Sequence, residues 1–152
     1  MKLSIVPPVL ARLSPRLAAI VDALPLQAHS RVIEIGCGPG AAARAVAARL
    51  VTGHILAIDR SASAIAQAGA AAADEVASGR MSVRHVAVED FVLQADEEPY
   101  DLVFAVRVGA LDGRHPKAGE QALQRIAMAT TDGARLFVDQ GHPLRELPIP
   151  KS

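Results

Sequence analysis

The most informative segment of the chain is Val32-Ile-Glu-Ile-Gly-Cys-Gly-Pro-Gly40. Its apolar first half is typical of a buried strand, and glycines follow at alternate positions, Gly36, Gly38 and Gly40. Glycine allows positive φ angles and lets the backbone approach a ligand closely. The alanine-rich stretch after it predicts a helix, whose first turn has free N–H groups. A strand, a glycine loop and a helix in this order predict a site for a nucleotide-like ligand.

A carboxylate within the apolar strand narrows the choice of ligand. The glycine spacing alone also fits a dinucleotide-binding loop. Glu34, however, lies two residues before the first glycine, and a buried carboxylate needs a hydrogen-bond donor. A ligand amino group or a neighbouring backbone N–H could supply that donor, whereas a pyrophosphate would be repelled. The segment therefore favours a ligand with a cationic, amino-acid-like end.

A second acidic residue stands where a ribose would bind. Residues 51–59 read as a turn and a buried strand that ends at Asp59. Asp59 lies 19 residues after Gly40, close to the spacing of about 20 residues that is typical of a ribose-binding acid. A carboxylate there can accept hydrogen bonds from both ribose hydroxyls, and such charge-assisted bonds are strong. We therefore expect Asp59 to hold a ribose.

Together these motifs resemble those of the class I S-adenosylmethionine-dependent methyltransferases. Residues 34–40 match motif I of that family, and Asp59 matches the acidic end of its second strand. Residues 100–108 resemble the family's fourth strand, and residues 131–138 resemble its fifth. The resemblance covers most of residues 14–140. It implies S-adenosyl-L-methionine as the methyl donor and S-adenosyl-L-homocysteine as the product.

The order of predicted elements indicates an α/β fold. Strands that alternate with helices of 10–15 residues form right-handed βαβ units. We therefore predict a doubly wound, mostly parallel sheet between two helical layers, which is the Rossmann-like fold of the methyltransferase family. The predicted helices cover residues 15–24, 40–51, 62–77 and 116–129, and the predicted strands cover residues 31–36, 54–59, 82–88, 101–107 and 134–139.

The chain divides into three segments. Residues 1–13 form an apolar N-terminal segment that could act as a lid, residues 14–140 form the S-adenosylmethionine-binding domain, and residues 141–152 form a proline-rich tail. Class I methyltransferases usually continue after strand five with an antiparallel β-hairpin, which we expect to be missing here. Strand five would then be an open edge that favours association, although the three prolines of the tail would blunt it. We therefore expect a homodimer through this edge or the tail.

The resemblance also implies which residues bind the donor. They are Glu34, Gly36, Cys37, Gly38, Gly40, Asp59, Arg60, Val88, Glu89 and Val106. Many family members have an Asp after strand three that receives the adenine amino group, but the matching residue here is Ala87. Either Glu89 takes over this contact, while the backbone N–H of Val88 or Glu89 serves a ring nitrogen, or the contact is lost; we favour Glu89. Cys37 is expected to fill space within the glycine loop and not to act as a nucleophile.

No residue is clearly marked as a catalytic base. Arg107 is a candidate for binding a carboxylate of the donor or of the acceptor, and it could equally be a surface arginine. Asp112, Arg114 and His115 lie in the following loop and His142 lies beyond strand five, so each is a weak candidate. The methyl group of a sulfonium is already activated, so alignment can carry most of the catalysis. The histidines and the single cysteine show no metal-ligand spacing, and we expect no metal.

Composition bounds the partners and the compartment. The 152 residues fit one domain, and the formal net charge is zero. A protein without net charge has no overall electrostatic attraction to nucleic acid or to an anionic membrane, and this favours a small-molecule acceptor. The sequence shows neither a signal peptide nor an apolar run of membrane-spanning length. One cysteine cannot form an internal disulfide, so we expect a cytoplasmic protein.

Two alternative functions stay open on the sequence alone. A methyltransferase-like domain could bind the nucleoside without turnover, or act only with a partner chain. The glycine loop could also belong to an NAD(P)-binding oxidoreductase domain, although Glu34 and the absence of residues for a substrate domain argue against this class.

Overall fold

The computed structural model describes residues 13–151. A single mixed sheet lies between helices and contains six strands. The helices are α1 (Pro15–Ala23), α2 (Ala41–Ala47), α3 (Ala62–Ala71), α4 (Ala73–Ala77) and α5 (Pro116–Ala129). The strands are β1 (Arg31–Ile35), β2 (His54–Asp59), β3 (Met81–His85), β4 (Tyr100–Ala105), β5 (Thr130–Val138) and β6 (Arg145–Leu147). Short 3₁₀ turns cover Val88–Asp90 and Gly109–Leu111.

The sheet confirms the doubly wound architecture. Its strand order is β3-β2-β1-β4-β5-β6, and all neighbours pair in parallel except β5 and β6. The strand order reverses between β1 and β4 at the centre of the sheet, because β2 and β3 lie on one side and β5 and β6 lie on the other. In an open α/β sheet this reversal creates a crevice at the carboxyl ends of the strands, where ligands bind. The carboxyl edge of β1, β2 and β4 is therefore the place to look for a site.

Two apolar cores cover the two faces of the sheet. Because side chains alternate along a strand, Val32 faces the core under α1 and α2, whereas Ile33 faces the core under α5. Helix α2 packs through small side chains, and the buried ones are Ala42, Ala43, Ala45, Val46 and Ala47. Small side chains let this helix lie close to the sheet. Glu34 alternates onto the same face as Val32, so its carboxyl group points toward α2.

The C-terminal tail contradicts one expectation. Strand five is not an open edge, because β6 pairs with it in antiparallel register, with Leu136 opposite Leu147 and Val138 opposite Arg145. The chain reverses between the two strands, and the side chain of Leu147 packs onto the core under α5. The tail therefore contributes an antiparallel strand, which covers the apolar edge that we expected to be exposed.

Several predicted boundaries are also wrong, each for a local reason. The second helix ends at Ala47 and not at residue 51, because the N–H groups of Arg49 and Leu50 bond only three residues back and those of residues 51–53 bond to the carbonyl of Ala28. The helix predicted over 62–77 breaks at Ala72, whose backbone leaves the α region at φ −98° and ψ 21°. β3 ends at His85, since the chain then turns to bury Val88 in the core under α5.

Two further boundaries shift around β4 and β5. β4 ends at Ala105 and not at residue 107, because Arg107 has a positive φ of 56°. β5 begins at Thr130, four residues earlier than predicted, and a register shift between Tyr100 and Leu102 accommodates the added length. Over residues 13–151, no helix is long and apolar enough to cross a membrane. The expected lid, residues 1–13, lies outside the described residues except for Leu13.

Candidate functional site

The glycine loop, residues 36–40, connects β1 to α2 and depends on the conformational freedom of glycine. All three glycines have positive φ angles, 71° at Gly36, 54° at Gly38 and 90° at Gly40. Side chains with a Cβ adopt these angles rarely and at a cost of about 1–3 kcal/mol each. The alternate glycines of the sequence are therefore required by the backbone path of the loop.

The surroundings of the three glycines differ, and the difference locates the ligand side of the loop. A Cβ at Gly36 would lie 2.8 Å from Cγ2 of Val108, and one at Gly40 would lie 3.1 Å from the Cβ of Ala68. These two glycines serve packing as well as conformation. A Cβ at Gly38 would meet nothing within 4 Å. Gly38 therefore faces open space that a ligand can occupy.

Glu34 lies beneath the loop as a buried acid. Only 3% of it is exposed, and the backbone N–H of Ala43 donates a hydrogen bond to its carboxyl group. Its other oxygen, Oε1, has no hydrogen-bond partner among residues 13–151. Burial, with a smaller contribution from the nearby charge of Asp59, raises the pKa of Glu34 to about 8. A buried orphan acceptor is costly, so this oxygen is suited to a donor that residues 13–151 do not supply.

Cys37 behaves as a small apolar side chain. It is buried, and its thiol donates a weak hydrogen bond to the carbonyl of Gly38 at 3.4 Å. Burial raises the pKa of Cys37 to about 12, and the charges of Glu34 and Asp59 add to this effect. A thiol in this state is a poor nucleophile, which agrees with the expected space-filling role.

Asp59, at the end of β2, faces the glycine loop. Its Oδ2 accepts the N–H of Gly38 at 2.9 Å, and its Oδ1 accepts the N–H of Ser61 at 2.8 Å. A carboxylate has about four acceptor positions, so each oxygen keeps one for a ligand hydroxyl. The two backbone contacts fix the carboxylate beside the loop and tie the ends of β1 and β2 together.

Two adjoining cavities open at the carboxyl edge of the sheet. The carboxyl-edge cavity has a volume of about 570 Å³. The glycine-loop cavity has a volume of about 250 Å³. Both are lined by Gly36 and Arg107, so one elongated ligand can reach from one cavity into the other. Their combined size falls within the range of about 300–1,000 Å³ that is usual for small-molecule sites.

The cavities gather most of the predicted site residues. Those that line the carboxyl-edge cavity are Gly36, Asp59, Arg60, Val88, Glu89, Arg107 and His115. Those that line the glycine-loop cavity are Glu34, Gly36, Cys37, Gly38, Val106 and Arg107. Gly40 lines neither and instead begins α2 against Ala68. His142 lines neither cavity, so the structure separates it from the other candidates.

Glu89 is held in place at the wall nearest β3. Its backbone carbonyl accepts hydrogen bonds from Nε2 of Gln121 at 2.7 Å and from Nε of Arg125 at 3.2 Å. Its carboxylate forms a long ion pair with Arg60, with 3.8 Å between Oε2 and Nη2. The arginine is largely exposed at the rim, and Val88 is buried beside it. The apolar residues Val86, Ala87 and Val88 next to an acceptor carboxylate suit an adenine ring and its amino group.

Arg107 marks the opposite wall. Its backbone N–H donates to Oδ1 of Asp139 at 3.1 Å, while Oδ2 of the same aspartate pairs with Arg16 at 2.5 Å. Asp139 therefore fastens the turn after β4 to the start of α1. The turn directs the chain into the loop that carries Arg114 and His115, both of which line the carboxyl-edge cavity.

Sequence reasoning missed the contribution of α1 and of α5 to these walls. Leu17 lines the glycine-loop cavity, and Ala118 lines the carboxyl-edge cavity. The sequence predicts both helices, but no local pattern shows that the first turn of each reaches the carboxyl edge. The pairing of Arg16 with Asp139 spans 123 positions of the chain, and a single sequence carries no signal for it.

A further cavity of about 690 Å³ lies at the opposite, amino edge of the sheet. Its arginines are already bonded within the protein. Arg31 donates to the carbonyls of Pro99 and Glu98, and Arg84 forms two hydrogen bonds with Glu97 at 3.0 and 3.1 Å. Burial alone would raise the pKa of Glu97, but the hydrogen bonds from Arg84 and Tyr100 lower it below its usual value. The polar side chains around this amino-edge cavity therefore form a hydrogen-bond network with a structural role.

Comparison with known proteins places the chain in a family. The sequence model of a family described as "Methyltransferase domain" matches residues 32–133, which is more than half of the chain. No curated protein sequence matches significantly. Many solved structures share the fold. Among them, the YcgJ protein of Bacillus subtilis superposes with a TM-score of 0.64 at 16% identity, covering 81% of this chain and 49% of that one.

Two other solved structures are similar in fold. Coclaurine N-methyltransferase, bound to N-methylheliamine and SAH, has a TM-score of 0.64 and 18% identity over 80% of this chain and 34% of its own. The [4+2]-cyclase SpnF has a TM-score of 0.65 and 22% identity over 80% of this chain and 42% of its own. The chain thus spans less than half the length of each of the three. The extent of the family match, together with the fold and the glycine loop, shows that the chain belongs to the methyltransferase domain family.

Proposed function

We propose that the protein transfers a methyl group from S-adenosyl-L-methionine to a small-molecule acceptor and releases S-adenosyl-L-homocysteine. The observation that carries this proposal is the orphan Oε1 of Glu34, buried beneath a glycine loop that opens on the Asp59 cavity. A ligand with an ammonium group at one end and a ribose in the middle satisfies both acids. The SAH-bound structure of coclaurine N-methyltransferase and the family match support the same donor.

The residues present fit this donor along its whole length. The glycine-loop cavity would take the amino-acid end, with Glu34 below it and Gly38 leaving the space that a side chain would fill. Asp59 would accept the ribose hydroxyls through its free acceptor positions. Val88 and Glu89 would hold the adenine, flanked by Arg60. The remaining donor contacts that we propose are Gly36, Cys37 and Val106, whereas Gly40 lines neither cavity and would act through the loop conformation alone.

In this reaction the main role of the protein is to align the acceptor with the methyl group and the sulfur of the donor. When bound, the donor would supply an electrophilic methyl group. A lone pair of the acceptor would form the new bond to the methyl carbon, while the electrons of the broken carbon–sulfur bond stay on sulfur. Gly36 and Arg107, shared by both cavities, mark the junction where the reacting atoms would meet. Holding two reactants in line contributes about 7–11 kcal/mol. His115 is a histidine at the cavity that could take a proton from the acceptor, whereas His142 lines neither cavity.

The partners and the compartment are also proposals. A zero formal net charge and a cavity of small-molecule size support a small acceptor over nucleic acid or a membrane. The prediction of a homodimer through an open edge of β5 is wrong, because β6 occupies that edge. A dimer through the rest of the tail remains a hypothesis for sedimentation to test. The single cysteine supports a cytoplasmic location.

Binding that depends on a partner chain is the second candidate. The chain spans less than half of each similar structure, so the acceptor site could need further protein. Turnover of the donor by the isolated protein, on a panel of small acceptors, separates this candidate from a complete enzyme.

Calorimetric titration with S-adenosyl-L-homocysteine and, separately, with NADH tests the proposal. We expect S-adenosyl-L-homocysteine to bind with a dissociation constant in the micromolar range, about −8 kcal/mol, and NADH to bind much more weakly because its pyrophosphate has no N–H donor for the orphan Oε1 of Glu34. Preferential binding of NADH would instead support an oxidoreductase domain.

A further inference from the structure

The carboxyl-edge cavity has charges of opposite sign on different walls. The wall formed by the ends of β2 and β3 carries the acids Asp59 and Glu89. The wall formed by the loop after β4 and the start of α5 carries Arg107, Arg114 and His115. We call this second wall the arginine wall. Among residues 13–151, no carboxylate side chain lines the arginine wall.

The two walls are far enough apart to serve two different molecules. The strand order places β1 between β2 and β4, and adjacent strands lie about 4.8 Å apart. The ends of β2 and β4 are therefore separated by about 10 Å. A donor whose ribose lies against Asp59 and whose amino-acid end enters the glycine-loop cavity would leave Arg114 and His115 free for the acceptor, with Arg107 at the junction of the two cavities.

Arg107 is the most available cation of this wall. Its backbone is fixed by Asp139, but within residues 13–151 its guanidinium group forms neither a hydrogen bond nor an ion pair with another side chain. It lines both cavities and so lies at the junction beside the reacting atoms.

Arg114 is oriented by a partner outside the cavity. Its Nε bonds to Oδ2 of Asp112 at 2.7 Å, which leaves the terminal Nη atoms available. Its Nη2 lies 3.2 Å from where a Cβ of Gly109 would be, and Cδ2 of His115 lies 3.1 Å from the same point. The small residue at position 109 therefore lets both side chains close onto the cavity. The first turn of α5, which begins after His115, adds its partial positive charge.

A guanidinium group is planar and forms paired hydrogen bonds with a carboxylate. Two such groups on one wall, with no acid among them, suit an anion. We propose that the acceptor is a small organic acid, whose carboxylate binds Arg107 and Arg114 at the arginine wall. This inference rests on the proposed function, because it assigns to the acceptor the part of the cavity that the donor leaves free.

Matched pairs of small acids and amides test the inference without knowledge of the true acceptor. Benzoate with benzamide, and hexanoate with hexanamide, are titrated into the protein saturated with S-adenosyl-L-homocysteine, and binding is followed by ligand-observed NMR at pH 7.5. We expect each acid to bind at least tenfold more tightly than its amide. Equal binding within both pairs would overturn the inference. Failure of S-adenosyl-L-homocysteine itself to bind would instead reject the proposed function.

Charge-removing variants locate the effect. Arg107→Gln and Arg114→Gln should each reduce the preference for the acid several-fold, and the double variant should abolish it. Arg49→Gln is the matched control, because Arg49 pairs with Asp22 at the surface and lines neither cavity. The affinity for S-adenosyl-L-homocysteine is measured for every variant. A variant that loses this affinity while keeping the acid preference would assign its arginine to the donor and contradict the proposal.

Discussion

Among single residues, Glu34 couples folding to pH. The folded protein holds the Glu34 proton up to about pH 8, whereas the unfolded chain releases it near pH 4.5. Unfolding therefore releases a proton between these values, and the free energy of unfolding falls as the pH rises from 4.5 to 8. For one group the slope is at most about 1.4 kcal/mol per pH unit.

Replacing this acid with its amide removes the titration. We expect Glu34→Gln to be more stable than the parent above pH 8, and the difference to shrink as the pH falls toward 4.5. Urea denaturation at a series of pH values measures both slopes. Parallel curves for the two proteins would show that Glu34 is not the buried titrating group. The same variant should bind S-adenosyl-L-homocysteine less tightly, because an amide is a weaker acceptor for an ammonium group.

Asp59 provides a second prediction for a single side chain. Asp59→Ala removes the acceptor for the ribose hydroxyls and leaves the N–H groups of Gly38 and Ser61 without their partner. We expect S-adenosyl-L-homocysteine to bind more weakly by about 1.5–3 kcal/mol, measured by calorimetry. Asp74→Ala, which removes an exposed carboxylate on α4, is the control. Unchanged affinity in Asp59→Ala would reject the ribose assignment.

Among the structural elements, the glycine loop is where a substitution should affect ligand affinity more than it affects the stability of the fold. Gly38→Val places a side chain in open space, so the fold should survive with a loss of about 1–3 kcal/mol for the positive φ. The same side chain would enter the donor site, and affinity for S-adenosyl-L-homocysteine should fall at least 100-fold. Gly133→Val, at an exposed position of β5 with nothing within 4 Å, should bind normally. Retained binding in Gly38→Val would count against the loop as the donor site.

Strand β6 makes a prediction about stability alone. Leu147 pairs with Leu136 and packs onto the core under α5, and it is half-buried. Leu147→Ser should lower the free energy of unfolding by about 1–2 kcal/mol. Arg145→Gln, at an exposed position of the same strand, should change it by less than about 0.5 kcal/mol. A loss in the control equal to that in Leu147→Ser would mean that β6 does not cover the core through this side chain.

The elements that the sequence predicts well are those with local signals. β1, the glycine loop and the acidic end of β2 follow from apolar runs, alternate glycines and one carboxylate, and the structure brings all three together. β6 could not be predicted, because its only reason to form is the apolar edge of β5, which lies seven or more positions earlier in the chain. The helix break at Ala72 also lacks a signal, since alanine is the best helix former and only tertiary packing favours the break.

In the whole molecule, the two edges of the sheet have different roles. Within the described part of the chain, residues 13–151, the carboxyl edge leaves polar groups without partners, such as Oε1 of Glu34 and the guanidinium of Arg107. The amino edge satisfies its arginines internally through the carbonyls of Pro99 and Glu98 and the carboxylate of Glu97. We therefore propose that ligands bind at the carboxyl edge, even though the cavity at the amino edge is larger. The sequence could predict this placement, because the glycine loop and Asp59 both end their strands there.

The most direct test follows backbone amide NMR signals during titration with S-adenosyl-L-homocysteine. We predict saturable shifts of the amide signals of Gly36–Gly40, Asp59 and Val88–Glu89, and little change in the signals around Arg31 and Arg84 at the amino edge. Shifts confined to the amino edge, or no shifts at millimolar ligand, would contradict the assignment of the donor site.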